Sequence, residues 1–356
     1  MSEVNMTNII IIMVDQMRAD VAYHEKYDFV QLPNLDEFRQ ESVTFDAAFC
    51  NYPVCAPSRA SVYTGRYPQQ TGVLNNRCML PSDERTMGHH FRDLGYDVVA
   101  FGKTHGQNPG FLQVPEPPIE PSLGSRFWGW YASQSMTEAV KSKSDQPEPI
   151  MAPFEKSIEE HYDYRVTAQV EAYLSARESD QPFLLHIGIH TPHPPLIPPE
   201  NVAGMYADEL IDLEDVTPEL ADTKPAMQRA TGKEFRQTPI HLREQMIRTY
   251  LELNTHVDHV LGRLMSTFRS TGVLDNSIIV FVSDHGEQLG EYEMLGKFNN
   301  FYDSSMRVPL IVRVPDSQNV GMTSSALVEL VDLYPTLCEM ADVPKPPLLA
   351  GYSFVA

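Results

Sequence analysis

The residues of this chain that could do chemistry stand at the ends of apolar runs. "NIIIIMV" runs into Asp15 and Gln16, "DVVAFG" into Lys103 and His105, "PFLLHIGI" into His190 and His193, and "SIIVFVS" into Asp284 and His285. In open α/β sheets ligands sit beyond the carboxyl ends of the strands, so sequence-distant strands of this kind deliver their polar groups to one place. A further contributor is "NYPVCAPSRASVYTGRYPQQTG", residues 51–72. There Pro57 suits the first turn of a helix, Ser58 can cap it, residues 60–63 can continue it and Gly65 ends it. Cys55 then lies at a helix amino terminus, where free N–H groups and the positive end of the dipole favour an anion or a developing negative charge. Arg59 adds a planar, permanent cation suited to a tetrahedral oxyanion. A thiolate phosphatase loop would carry its arginine where Ser61 stands, so plain thiolate chemistry is a poorer fit. The alternative for Cys55 is a buried small hydrophobe beside a helix start.

These side chains need a scaffold, and the sequence describes one. Short apolar runs alternate with longer amphipathic or irregular segments, the α/β pattern of buried strands under helices. At 356 residues and 42% hydrophobic, the chain is long enough to bury a large core. The opening "MSEVNMTNIIIIMVDQMRAD" is too short in its apolar part to span a membrane and has no basic leader or cleavage site, so it reads as a first strand in a cytoplasmic protein. "REQMIRTYLELNTHVDHVLGRLMSTFRSTG" places Ile247, Tyr250, Leu251, Val257, Leu261, Leu264 and Phe268 at helical spacing, with Gly272 as a carboxyl cap. That stripe is core, and His256 and His259 on it read as structural or exposed rather than as ligands. Segments 107–153 and 194–239 are rich in Pro, Glu and Asp, with "FWGWY" inside the first. Long irregular insertions of this kind suit pocket walls or solvated loops.

The four cysteines form no CxxC pair, so disulfides and a structural zinc site are not expected, and Cys50, Cys78 and Cys338 read as buried small hydrophobes. A net charge of -21 repels phosphates, which argues against nucleic acid and anionic membrane surfaces as partners. An anionic substrate would therefore need local cations.

"CAPSRASVYTGR" resembles the signature of the type I sulfatases, in which the cysteine is oxidised to formylglycine. "VDQMRAD" looks like the first metal-binding strand end of that family, "FGKTHG" like its lysine and histidine element, and "HTPHPP" like its histidine before proline. "SDHGEQLGE" looks like the second metal-binding strand end, Gly296-Lys297 like the second lysine, and "RVPLIVRVP" and "LVDLYPTL" like the closing core elements. The resemblance follows the family order over nearly the whole chain. It implies an alkaline-phosphatase-like α/β fold, a three-layer sandwich with a mostly parallel mixed sheet between helical layers. Residues 1–356 would form a single catalytic domain. The chain stops at "PPLLAGYSFVA", so the usual small carboxyl-terminal subdomain is expected to be largely absent after about residue 345.

The resemblance also implies a mechanism. Formylglycine from Cys55, made by a sulfatase-maturing enzyme, hydrates to a gem-diol; one hydroxyl attacks sulfur and the other later expels sulfate. Asp15, Gln16, Asp284, His285 and the group at position 55 would hold one divalent cation. Oxygen-rich ligation points to calcium, and the nitrogen of His285 to manganese as the alternative. Arg59 would orient the gem-diol, Lys103 and Lys297 would grip sulfate oxygens, His105 would hydrogen-bond the formylglycine, and His193 would protonate the leaving oxygen. His190, Asn75 and Trp128 are weaker choices for substrate contacts. Gln16 and His285 stand where many members have Asp and Asn, a combination closer to the choline-sulfatase and phosphonate-monoester-hydrolase branch. The implied substrate is a small organic sulfate ester. The alternatives are a phosphonate or phosphate ester hydrolase using the same site, and a catalytically silent member.

Overall fold

The computed structural model describes residues 6–105, 110–115, 157–213, 223–226, 228 and 229, 238–297 and 300–355. Most of segment 107–153, including Trp128 and the rest of "FWGWY", and much of 194–239 lie outside these residues.

β1 (Asn8–Asp15) is the first apolar run, and its alternation decides the architecture. Ile10, Ile12 and Val14 point into one hydrophobic cluster, and Ile9, Ile11 and Met13 into another. A strand buried on both faces needs a layer of helices on each. Along the chain follow β2 (Val43–Phe45), β3 (Ala48–Phe49), β4 (Asp97–Gly102), β5 (Leu112–Gln113), β6 (Phe183–Pro192), β7 (Ser277–Ser283), β8 (Leu310–Arg313), β9 (Thr323–Ser324) and β10 (Val328–Glu329). Eight of them form one sheet in the order β5-β4-β6-β1-β7-β8-β2-β9, and β10 pairs with β3. The strands β5, β4, β6, β1 and β7 run parallel, whereas β8 is antiparallel to both its neighbours.

Helices α1 (Pro33–Gln40), α2 (Cys55–Thr64), α3 (Met87–Asp93), α4 (Tyr162–Ser175), α5 (Ile240–Ser270) and α6 (Leu333–Met340) complete the layers. Leu35 and Phe38 of α1, Val166 and Val170 of α4, and the α5 stripe share the cluster with Ile10 and Ile12. Val62 and Tyr63 of α2, Phe91 of α3 and Leu337 of α6 share the one with Ile9 and Ile11. Each of these large apolar side chains stabilises the fold by roughly 1.5–3 kcal/mol of removed hydrocarbon surface. The result is the mostly parallel mixed sheet between helical layers that the family resemblance implied.

Every member of the expected stripe on α5 is buried, and Gly272 follows the helix in the left-handed region with φ 74°. His256 is buried and His259 half-buried, neither beside Cys55. All four cysteines are free; Cys50 and Cys338 are buried as expected, but Cys78 is only partly covered. Among the described residues no helix is long and apolar enough to cross a membrane.

Candidate active site

The four strand ends singled out in the sequence belong to β4, β6, β1 and β7, which are consecutive and parallel in the sheet. Their carboxyl ends therefore lie along one edge. Helix α2 is brought to that edge by its first turn. Val54 is its N-cap and helical geometry begins at Cys55, so Ser58 is inside the helix and does not cap it as expected. Ser58 Oγ instead donates to the Asp284 carbonyl at 2.5 Å, pinning α2 to the end of β7. The capping acceptor is borrowed from another loop: Asn76 Oδ1 takes the Ala56 N–H at 3.0 Å. At the other end Gly65 has φ 62°, the left-handed close that its lack of a side chain permits.

Cys55 is fully buried. Its Sγ lies 3.1 Å from His285 Nε2, 3.7 Å from Asp15 Oδ1 and 3.9 Å from Asn76 Nδ2. Arg59, one turn on, is also fully buried and spends its fork on the scaffold. Nε donates to Asp284 Oδ2 at 2.8 Å, one terminal nitrogen to Asp15 Oδ2 at 3.1 Å and the other to the Lys103 carbonyl at 2.6 Å. One guanidinium thus ties together the ends of β1, β4 and β7, and no hydrogen bond joins it to Cys55. Close approach of β4 and β6 makes this possible: a Cβ on Gly188 would fall 2.1 Å from the Lys103 carbonyl oxygen.

Lys103 Nζ lies 2.6 Å from Asp15 Oδ2. Buried Lys297 donates to Gln16 Oε1, while Gln16 Nε2 donates to Glu287. Glu287 is itself held by the N–H groups of Leu289 and Gly296. Gln16 sits at φ 73°, with its carbonyl accepting from Tyr250 at 2.7 Å. His193 Nδ1 donates to the Pro194 carbonyl at 2.6 Å, and its Nε2 faces Asp15 Oδ1 at 4.0 Å. His190 packs its ring 5.2 Å from that of His193, with both ring nitrogens buried and unpartnered. His105 has φ 62° and a buried, unpartnered Nδ1, and among the described residues no hydrogen bond joins it to Cys55. Asn75 is exposed and accepts from the Arg77 N–H; its neighbour Asn76 is the residue beside Cys55. The site also takes Asn76, Glu287 and Tyr250, which nothing local in the sequence marks as site residues, although Glu287 lies inside "SDHGEQLGE" and Tyr250 on the apolar stripe of α5.

The electrostatics are those of two carboxylates sharing a dry site. Burial raises the Asp284 carboxyl, and the neighbouring Asp15 raises it further. Burial acts on Asp15 in the same sense, but Lys103, His193, Arg59 and Lys297 outweigh it and hold that carboxyl well below the usual range. Burial and Asp15 would raise the Cys55 thiol; Lys297, His285 and Lys103 together bring it well below its ordinary value. Burial, then Lys103 and Lys297, lower His193 to about 4. The ligand-type atoms of Asp15, Cys55, Asp284 and His285 all lie within 4.8 Å of one another. His285 Nδ1 donates to the Gly286 carbonyl at 2.9 Å, which turns Nε2 toward this cluster; burial lowers that imidazole, but Asp284 outweighs it and raises it above its ordinary value. Such a donor set fits a divalent cation, which would relieve the repulsion between the two carboxylates.

The family model described as Sulfatase matches residues 7–343. A multifunctional alkaline phosphatase superfamily protein, PehA of Trinickia caryophylli, is 27% identical over 98% of this chain and 76% of its own length. The choline-sulfatase of Rhizobium meliloti is 28% identical over 94% of this chain and 68% of its own. Among solved structures, a phosphonate monoester hydrolase from Silicibacter pomeroyi superposes with a TM-score of 0.80 at 25% identity, over 98% of this chain and 76% of that one. A family model that spans almost the entire sequence, on a fold and site of this kind, makes the chain an enzyme of the sulfatase family.

Proposed function

We propose that this enzyme hydrolyses a small organic sulfate monoester to an alcohol and sulfate, with formylglycine made from Cys55 as nucleophile and one divalent cation, and that residues 1–356 act as a single catalytic domain. The observation that carries this reading is the position of Cys55. It opens a helix, touches His285 at 3.1 Å, and shares a buried cluster with Asp15 and Asp284.

Asp15, Gln16, Asp284, His285 and the group at position 55 would hold the cation, calcium by their oxygen content or manganese by the imidazole. When bound there it would polarise the ester and acidify the attacking hydroxyl. The residues of the chain do the rest. One hydroxyl of the hydrated aldehyde at position 55 gives up its proton to solvent and forms a bond to sulfur as the ester S–O bond breaks. The leaving oxygen takes a proton from His193 Nε2. The second hydroxyl then returns a proton to His193 as the aldehyde C=O re-forms and the C–O bond to sulfate breaks; water restores the hydrate. His193 is neutral beside Lys103 and Lys297, and an arriving sulfate ester offsets those cations and favours the imidazolium. Lys103 and Lys297 grip the sulfate oxygens. Arg59 acts by holding Asp15 and Asp284 in place. His105 and His190, each with buried unpartnered ring nitrogen, are available to the hydrate and to the substrate.

The partners in this reading are the small sulfate ester and a formylglycine-generating or other sulfatase-maturing enzyme. The charge of -21 favours a small substrate over polyanions such as nucleic acid, and the chain acts in the cytoplasm, away from membranes. Peptide mass spectrometry on the Cys55 peptide from a maturation-competent host tests the nucleophile: aldehyde is expected, and an unmodified thiol overturns the scheme. A phosphonate monoester or phosphodiester hydrolase is the second reading, favoured by the similarity to the Silicibacter enzyme. Matched aryl sulfates, phosphonates and phosphodiesters separate the two, since activity on phosphorus esters alone rules out the first. Full conversion of Cys55 with no turnover of any ester would instead mark a silent member.

A further inference from the structure

Strand β6 does not meet β1 evenly at the site. Val14 pairs with Ile189, but the next β1 residue, Asp15, pairs with Pro192. His190 and Thr191 are therefore extra residues on β6, a bulge whose backbone N–H groups have lost their ladder partners. Both are recovered by one side chain. Asp163, fully buried in the first turn of α4, accepts the His190 N–H on Oδ1 at 2.7 Å, and on Oδ2 the Thr191 N–H at 3.2 Å and the Thr191 Oγ–H at 2.6 Å. The turn then closes on itself, because the His193 N–H donates to the His190 carbonyl at 3.2 Å. The carboxylate thus fixes the start of the turn that carries His193.

Asp163 is held in its turn. His161 caps α4 by accepting the Asp163 N–H at 3.4 Å, and His256 of α5 lies 3.0 Å from the same His161 Nδ1. The ligand-type atoms of His161, Asp163 and His256 lie within 4.8 Å of one another. They are nonetheless a clamp rather than a cation cage: the carboxylate is occupied by three donors from β6, and His161 Nδ1 by its two neighbours.

We propose that Asp163, through the bulge at His190 and Thr191, is the positioning residue for His193, setting the imidazole where it can protonate the leaving oxygen. This rests on His193 being the acid of the proposed function. Removing an acid matters most for poor leaving groups, which need the proton, and least for good ones. A residue that only supports the fold would lower turnover of all esters alike.

The test compares Asp163→Asn, Thr191→Val, His193→Ala and the double variant Asp163→Asn/His193→Ala, as full-length protein with Cys55 converted and calcium or manganese supplied, on phenyl sulfate and 4-nitrophenyl sulfate. The expected result is a kcat/KM on phenyl sulfate lower by about 100-fold in His193→Ala and by at least about 10-fold in Asp163→Asn, against about 3-fold on the nitrophenyl ester. The double variant should be no worse on phenyl sulfate than His193→Ala alone. Thr191→Val keeps the carboxylate and removes one donor, so it should show the same selectivity more weakly even where Asp163→Asn folds poorly. Uniform losses in both clamp variants, with His193→Ala selective, overturn the role of Asp163 and leave the acid in place. A His193→Ala variant without selectivity overturns both. A crystal structure of either clamp variant with the His193 ring unmoved also overturns the proposal, whatever its activity.

Discussion

His285 presents its Nε2 to Cys55 Sγ at 3.1 Å because its other ring nitrogen is spent on the Gly286 carbonyl. The same Nε2 is 3.5 Å from Asp284 Oδ1 and 3.7 Å from Asp15 Oδ1, so an imidazole nitrogen, a sulfur and two carboxylates face one point. A cation placed among them relieves the repulsion between the two carboxylates. Calcium or manganese should therefore raise the unfolding temperature of the chelator-treated protein, and binding at 100 times Kd corresponds to about 2.7 kcal/mol. His285→Ala should weaken that binding by at least about 10-fold, as read by calorimetric titration. An unchanged affinity in the variant would mean that the imidazole is no ligand.

Arg59 is a permanent counter-charge that reaches both carboxylates. Replacing it with Met leaves Asp15 and Asp284 buried with one partner fewer, a loss of about 3–5 kcal/mol for a broken buried ion pair. Arg59→Lys keeps the charge but cannot reach two carboxylates and the Lys103 carbonyl at once, so it should fall between. Denaturant unfolding with and without calcium measures this, and saturating cation should shrink the deficit. Equal stability of Arg59→Met and the parent without cation would contradict the assignment.

His186 lies in mid-strand on β6, accepting the Tyr63 hydroxyl on Nε2 at 3.0 Å, and is fully buried. Burial, and then Arg59, lower its pKa to about 3 from the ordinary 6.5. The unfolded chain therefore binds a proton that the folded chain refuses between those values. Its contribution is complete above pH 6.5 and is lost as the pH falls toward 3, by up to about 1.4 kcal/mol per pH unit. His186→Gln should flatten this acid limb in urea unfolding between pH 4 and 6.5, and an identical slope in the variant would place the titration elsewhere.

The strand ends were legible because each apolar run stops at a polar residue, and parallel strands must deliver those ends to one edge. Periodicity gave the stripe on α5 for the same reason. What stayed hidden depends on contacts between distant segments. Asn76 rather than Asn75 reaches Cys55, and Ser58 pins β7 rather than capping α2, because helical geometry begins at Cys55 itself. The clamp of Asp163 on the β6 bulge has no local signal at all: an aspartate in the first turn of a helix is ordinary, and a bulge needs its partner strand to be seen.

Asn76 completes the helix that carries Cys55, and its two ends can be separated by substitution. Oδ1 accepts the Ala56 N–H at 3.0 Å, and Nδ2 points at Sγ from 3.9 Å. Asn76→Ala removes the borrowed cap and should cost about 1 kcal/mol of stability. Asn76→Asp keeps an acceptor at the helix start, where a negative charge is favourable, so its stability should match the parent. That same charge would stand beside Cys55 and the bound sulfate, and should raise KM while the fold holds. Thermal unfolding and steady-state kinetics on one aryl sulfate read both effects. Loss of stability in both variants would mean that the amide donor, rather than the carbonyl cap, holds the loop against α2.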